Sequence, residues 1–236
     1  NKRHEEIIDI IVRSKMPDET NLVNLLNVKY VISPKEFKTN GYKIVRKSEK
    51  ANIYENENVL PRAFLAEKAV VIKGEKKILE KMKTKEFMPE KEVILEEVLD
   101  SALRTSLEQY SLSDRRESRA KPRDERAKHA PYEIEDFRMG RVSREESVSI
   151  LKYKPNYVEI AVTINEPKFL VLSDTYYPGW KVYVDGKQDK IYRADYILRA
   201  VYLMPGKHIV KFTYEPFSFK IGAIITLGTI GILSGL

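Results

Sequence analysis

The chain contains no cysteine, which excludes disulfides, thiolate metal sites and a cysteine nucleophile together. Histidine is scarce: His4, His129 and His208 stand far apart, so no His-x-x-x-His pair offers zinc two ligands. There is no Gly-x-Ser-x-Gly nucleophile turn and no Gly-x-x-x-x-Gly-Lys phosphate loop. Nothing before Ile7 pairs a charged segment with the apolar core of a signal peptide, and residue 1 is Asn. The sequence is expected to be an excerpt from a longer protein.

What is present begins with charge. The 236 residues carry a net charge of +7 and a pI near 9.2, which suits anionic lipid headgroups, anionic cell-wall polymers or nucleic acid without choosing among them. A hydrophobic share of 42% and a mean hydropathy of -0.43 describe a soluble average, with length for one large domain or two small ones. Residues 221–236 break that average, with no charge and many Ile, Leu and Gly directly behind Lys220. This run reads as the first part of a truncated transmembrane helix over 216–236, with a buried core helix as the alternative.

Residues 4–15 place Ile7, Ile8, Ile11 and Val12 at helical spacing, and 20–26 form a second short helix or turn. A strand is expected over 27–33 and a hairpin from 42–45 and 51–54. Extended apolar runs follow at 60–65 and 69–72, then a helix over 74–82, a strand over 92–96 and a short helix over 99–107. Residues 111–131 interleave seven Lys or Arg with four acids and almost no large apolar residue, which predicts a mobile loop or a solvated charged helix. A nucleic-acid arm is the sharper alternative, disfavoured because no aromatic residue interrupts the basic run.

Beyond 146 the pattern is β, with strands expected over 147–154, 157–164, 168–174, 180–184, 190–194, 198–203 and 208–214 and a turn at 204–207. Seven short strands at this spacing predict an antiparallel sandwich. The densest stretch is 176–187, where Pro178-Gly179 marks a turn, Trp180, Val182 and Val184 line one apolar strand face, and Asp185-Gly186 predicts a type I′ hairpin. The fold class is therefore mainly β or α+β. Residues 1–110 form an α/β portion, 111–145 a charged linker or insertion, 146–215 the sandwich-like domain, and 216–236 the start of the membrane helix.

The motifs Asn27-Val28-Lys29-Tyr30-Val31-Ile32, Tyr176-Tyr177-Pro178-Gly179-Trp180-Lys181-Val182-Tyr183-Val184-Asp185-Gly186-Lys187, Tyr192-Arg193-Ala194-Asp195, Arg199-Ala200-Val201-Tyr202, Pro205-Gly206-Lys207-His208 and Phe212-Thr213-Tyr214-Glu215-Pro216, with the expected membrane helix, resemble the C-terminal part of the YfhO family. The resemblance covers 22–65 and 157–236 and is poor over 73–144. It implies a large multi-spanning bacterial membrane protein similar to GT-C glycosyltransferases, which take sugars from polyprenyl-phosphate carriers outside the cytoplasm. In such enzymes the catalytic acid belongs to a loop near the start of the membrane region, so no catalytic residue carries over to this sequence.

Asp174, Asp185, Asp189 and Asp195 offer a glycosidase its carboxylates only if two of them meet in space, and turn or strand-end roles explain them more simply. Trp180 with Tyr176, Tyr177, Tyr183 and Tyr192 reads either as a sugar-stacking platform or as an aromatic core cluster under the Pro-Gly turn. The ligand-binding candidates are Tyr176, Tyr177, Trp180, Tyr192 and Arg193, with no catalytic or metal-ligating residue and no cofactor expected. Gly231 and Gly235 fit the small-xxx-small spacing of packed membrane helices, as chance in a glycine-rich helix also would.

The function expected is that of an extracytoplasmic accessory domain in a multi-spanning, glycosyltransferase-like cell-membrane protein. Its partners would be its own membrane helices, a polyprenyl-phosphate sugar and an anionic cell-wall polymer, not nucleic acid. The alternative is a non-catalytic carbohydrate-binding or structural module.

Overall fold

A computed structural model describes residues 2–14, 20–97, 105, 145–216, 222, 225–227, 229, 230 and 232. The chain divides into one unit made of Asn1–Glu97 with Glu145–Leu236, and another, Val98–Arg144, whose only described residue is Thr105. The helix expected over 99–107 and the charged run 111–131 therefore lie outside the described residues, apart from Thr105 itself.

The first unit opens with α1 (Lys2–Arg13) and α2 (Leu22–Leu25), then a three-stranded antiparallel sheet of β1 (Tyr30–Ser33), β2 (Tyr42–Arg46) and β3 (Asn52–Asn56) in the order β1-β3-β2. The strand expected from residue 27 starts later. Asn27 adopts a left-handed φ of 58° and donates from Nδ2 to the Leu60 carbonyl at 2.6 Å, a role asparagine tolerates better than a β-branched residue. Next come β4 (Ala63–Ala66), β5 (Lys68–Val71), α3 (Glu75–Met82) and β6 (Glu92–Leu95), with β5 and β6 parallel as a helical crossover permits. Ile78 and Met82 on α3 and Phe87 behind it are buried.

The remaining strands are β7 (Ser147–Lys154), β8 (Tyr157–Ile164), β9 (Lys168–Leu172), β10 (Trp180–Val184), β11 (Lys187–Asp189), β12 (Tyr192–Ala194), β13 (Leu198–Leu203) and β14 (Gly206–Tyr214). They divide between two sheets, β11-β10-β14-β8-β7 and β4-β9-β13-β12-β6-β5. β8 alternates buried and half-buried positions, the signature of one covered face, while β9 and β13 are buried almost throughout. Val158, Ile160, Val162, Ile164, Val182, Val210 and Phe212 of the first sheet pack with Ala63, Leu170, Leu172, Val201 and Leu203 of the second in one core. The fold is mainly β and sandwich-like, as expected. The two portions on either side of residues 98–144 are joined by sheet pairing, since β4 pairs with β9 and β6 with β12.

Asparagines close the seam between the small sheet and the rest. Asn56, fully buried, donates to Asn24 Oδ1 at 2.9 Å and to the Val28 carbonyl at 3.0 Å, and its own oxygen accepts from the Asn58 amide at 3.0 Å. Asn21 donates onward to the Phe87 carbonyl at 2.7 Å. Asn56→Ala would leave these groups unpaired in a buried site and is expected to cost roughly 1–3 kcal/mol, read as a lower urea midpoint.

Within the apolar terminus, Gly222, Ile225, Thr226, Leu227, Thr229, Ile230 and Ile232 are helical. Thr226 and Thr229 donate their hydroxyls to the carbonyls of Gly222 and Ile225 at 2.8 and 2.9 Å. Among the described residues no helix is long and apolar enough to cross a membrane. The membrane helix expected over 216–236 thus has no described span to rest on, because most of those positions, Gly231 and Gly235 included, lie outside the described residues.

Candidate functional site

The Asp185-Gly186 hairpin forms as predicted, with φ of 51° and 82° at the two loop residues and Val184 paired to Lys187. Gly179, at φ 102°, brings its backbone against the end of β14. A Cβ there would lie 3.0 Å from the Tyr214 ring and 3.2 Å from Pro216 Cα, and its carbonyl accepts from the Glu215 amide at 2.7 Å. Tyr176 and Tyr177, just before this contact, line a cleft of about 570 Å³.

The cleft wall opposite is the loop joining β12 to β13, where Asp195 and Tyr196 both hold positive φ, 43° and 70°. Aspartate adopts this region readily, but a tyrosine in it is strained and must be held by its surroundings. Tyr196 is fully buried, its hydroxyl donates to Glu6, and the Arg3 guanidinium lies 4.6 Å from its ring centroid. Burial, then Glu6, pushes the Tyr196 phenol well above its usual range. Arg3 also donates to Glu96, to Glu75 at 2.7 Å and to the Tyr196 carbonyl at 3.0 Å. Burial opposes the charge on Arg3, but the two glutamates outweigh it and hold its pKa above the usual value.

Arg193 stacks its guanidinium 4.6 Å from the Tyr176 centroid and reaches Glu96 at 3.5 Å. With Lys2 3.8 Å from Glu6, every cation lining the cleft has a carboxylate within ion-pair distance. The cleft is therefore locally neutral in a chain of net charge +7. It presents guanidinium and carboxylate edges beside tyrosine faces, with Tyr177 55% exposed. Such a surface suits ligands with many hydrogen-bonding groups and one apolar face better than it suits a bare anion.

Asp195 itself turns away into the interior. Its carboxylate accepts the Ile94 amide at 2.8 Å, and burial pushes its pKa up to about 7 against that bond. Because the folded value exceeds the ordinary 3.8, the folded state keeps this proton where the unfolded chain has lost it. The stabilisation is complete below the unfolded pKa and is lost as pH rises through about 7. The wild type is expected to be more stable at pH 5 than at pH 8 by on the order of 2–3 kcal/mol from this group, and Asp195→Asn should remove that difference in urea unfolding.

Trp180 and Tyr192 do not line the cleft. Tyr192 is buried in the second sheet, edge-on to Phe169 with centroids 5.6 Å apart. Trp180 packs against the sandwich core and 5.4 Å from Tyr214, and Tyr183, one strand position from Val182, takes the opposite face of β10. The five aromatics thus form no single platform.

Beneath Trp180 lies a charged cluster that the sequence did not announce. Arg199 of β13 is almost wholly buried, with its guanidinium 3.8 Å from the Trp180 centroid and 5.5 Å from that of Phe212 on the facing sheet. It donates to Asp174 at 2.8 Å, and Asp174 also accepts from Arg62 at 3.0 Å and Tyr153 at 3.1 Å. Burial lowers the Arg199 pKa, and Asp174 resists that shift. The signal was an arginine inside the apolar run 198–203, where the alternation places it on the face of Val201 and Leu203.

The four aspartates find separate partners. Asp174 holds the arginines and Asp195 the Ile94 amide, while Asp185 accepts the Ile209 amide at 2.8 Å and lies 2.8 Å from His208 Nδ1. Burial would raise the Asp185 pKa, but these two contacts bring it below its usual value. Asp189 accepts the amide of Lys190. Among the described residues no group of three or more His, Asp or Glu is arranged to hold a metal ion.

Comparison with known proteins follows from this geometry. Residues 140–226 match the family model described as bacterial membrane protein YfhO. The uncharacterized protein YfhO of Bacillus subtilis (strain 168) is 29% identical over 85 residues, which is 36% of this chain and 10% of that protein. This chain thus matches only a tenth of the length of that relative. No solved structure matches. The matched segment contains β7 to β14, the Pro-Gly-Trp turn and the strained cleft loop, and over it the chain is similar to bacterial membrane proteins of the YfhO family.

Proposed function

We propose that this chain is the outward-facing accessory domain of a multi-spanning, glycosyltransferase-like membrane protein, and that its cleft receives the sugar portion of a lipid-linked or cell-envelope glycan. The observation that carries this reading is the cleft. Its cations are neutralised in place, its wall contains the strained Tyr196, and its rim exposes Tyr177 for stacking. The match of residues 140–226 to a family of bacterial membrane proteins supports the setting. The resemblance to GT-C enzymes supports the substrate class and leaves the chemistry to a loop outside this sequence.

The test is sugar transfer from a polyprenyl-phosphate donor by the full-length protein in membranes. Tyr177→Ala, at an exposed position, is expected to lower transfer by about tenfold with an unchanged unfolding midpoint. A folded preparation that transfers no sugar from any donor would sink the transferase reading. Sidedness is tested separately on this cysteine-free segment, with Lys187→Cys in a background without other accessible thiols. Labelling by an impermeant maleimide in intact cells is expected; labelling only after permeabilisation would place the domain inside.

A second reading, a carbohydrate-binding or structural module without catalysis, is favoured by one specific observation. Asp174, Asp185 and Asp195 are each engaged in a structural contact, which leaves none of them poised as a general acid or base. Glycan binding that depends on Tyr177, without transfer in the full-length protein, would select it.

A further inference from the structure

We propose that the outer face of the β1-β3-β2 sheet lies against an anionic lipid surface. The inner face of this sheet is already covered, since Phe37 stacks on Tyr54 at 3.8 Å and packs edge-on to Tyr42 at 5.9 Å. Among the described residues the outer face is open. Its cross-strand rows are Tyr30–Glu55–Lys43 and Ile32–Ile53–Arg46, and the bulge between Ile44 and Arg46 turns Val45 outward as well. Tyr30 is 55% exposed, Ile32 69% and Val45 48%, a patch on the two edge strands with the half-buried Ile53 of β3 between them, where a monomer normally scatters single apolar residues.

Charge selects the occupant. Lys29 flanks Tyr30, and Lys43 and Arg46 complete the rows, against Glu55 on them and Glu57 beside Lys29, so three cations minus two carboxylates leave +1. Glu55 is itself held by Lys29 at 2.8 Å, which lowers its pKa. A second copy of this face would set Lys43 and Arg46 against their own counterparts. Anionic headgroups accept them instead, while the tyrosine ring and the isoleucines enter the boundary region beneath and the long cationic stems reach back to the phosphates. This inference stands apart from the cleft and from any transfer chemistry.

The chain is tested whole, reconstituted in phosphatidylcholine nanodiscs with or without phosphatidylglycerol and doped with bromolipid. Because it lacks cysteine, a single bimane probe can be placed at Ile32→Cys, at Val45→Cys and, as control, at Lys76→Cys on the exposed side of α3. Quenching is expected at the first two sites in phosphatidylglycerol discs and absent at the control. Lys43→Gln with Arg46→Gln should weaken the contact about fivefold for each cation removed. An Ile32 probe open to aqueous iodide but unquenched by bromolipid overturns the proposal. So does one shielded from both quenchers, which would mean that protein covers the face. Equal quenching with and without phosphatidylglycerol overturns the anionic assignment.

Discussion

Asp174→Ala is expected to destabilise the folded unit by roughly 3–5 kcal/mol, because it strips the counter-charge from an arginine that has no access to water. Arg199 is 2% exposed and Asp174 13%, so the pair is a buried one and its loss is not relieved by solvent. Arg62, at 41% exposure, can rehydrate after the change, and Tyr153 lies on an exposed strand. The expected cost therefore resides in Arg199. The double variant Asp174→Ala with Arg199→Met tests this directly, since methionine fills much of the same volume beneath Trp180 without a charge. It is expected to recover at least half of the lost stability in urea unfolding. If the single variant unfolds with the wild-type midpoint, Arg199 is hydrated in solution and the buried-pair account fails.

Trp180→Ala is the second large effect, expected to cost about 3 kcal/mol or more. The indole supplies apolar area to the sandwich core and also the π face 3.8 Å from the Arg199 guanidinium. Two nitrogens of that guanidinium, Nε and Nη1, have no hydrogen-bond partner among the described residues, so the ring is what covers them. Removing it exposes a charge to a void. Tyr177→Ala, a few residues earlier, is expected to leave the midpoint unchanged because half of that side chain is already in water. A Trp180→Ala protein of undiminished stability that fails to bind glycan would reverse these assignments and return the tryptophan to the ligand site.

The two variants also mark where reading the sequence succeeds and where it stops. Alternation at Trp180, Val182 and Val184 was enough to predict an apolar strand face, and that face does pack on the core. Asp185-Gly186 specified its turn because few residue pairs accept two positive φ values. The strands beyond 146 were legible for the same reason, since a half-buried sheet imprints a period of two on each of them. Arg199 was not legible, because local pattern reports which face a residue takes and not what stands opposite it. Nor was the cleft: Arg3, Glu75, Glu96, Tyr176 and Arg193 come from five separate elements or loops.

By itself, then, the sequence determined a mainly β fold, the hairpin after Trp180, the absence of thiol chemistry and the resemblance to the YfhO family. The first three follow from composition or from interactions among near neighbours in the chain, and the resemblance from the motifs that carry it. Only the tertiary structure decided that Tyr176, Tyr177 and Arg193 share a cleft while Trp180 and Tyr192 belong to packing. It also decided that the cleft is neutral although the chain is basic, because carboxylates distant in sequence reach its guanidiniums. Those outcomes depend on how two sheets face each other and which strands pair, and long-range pairing leaves no periodic trace along a single chain.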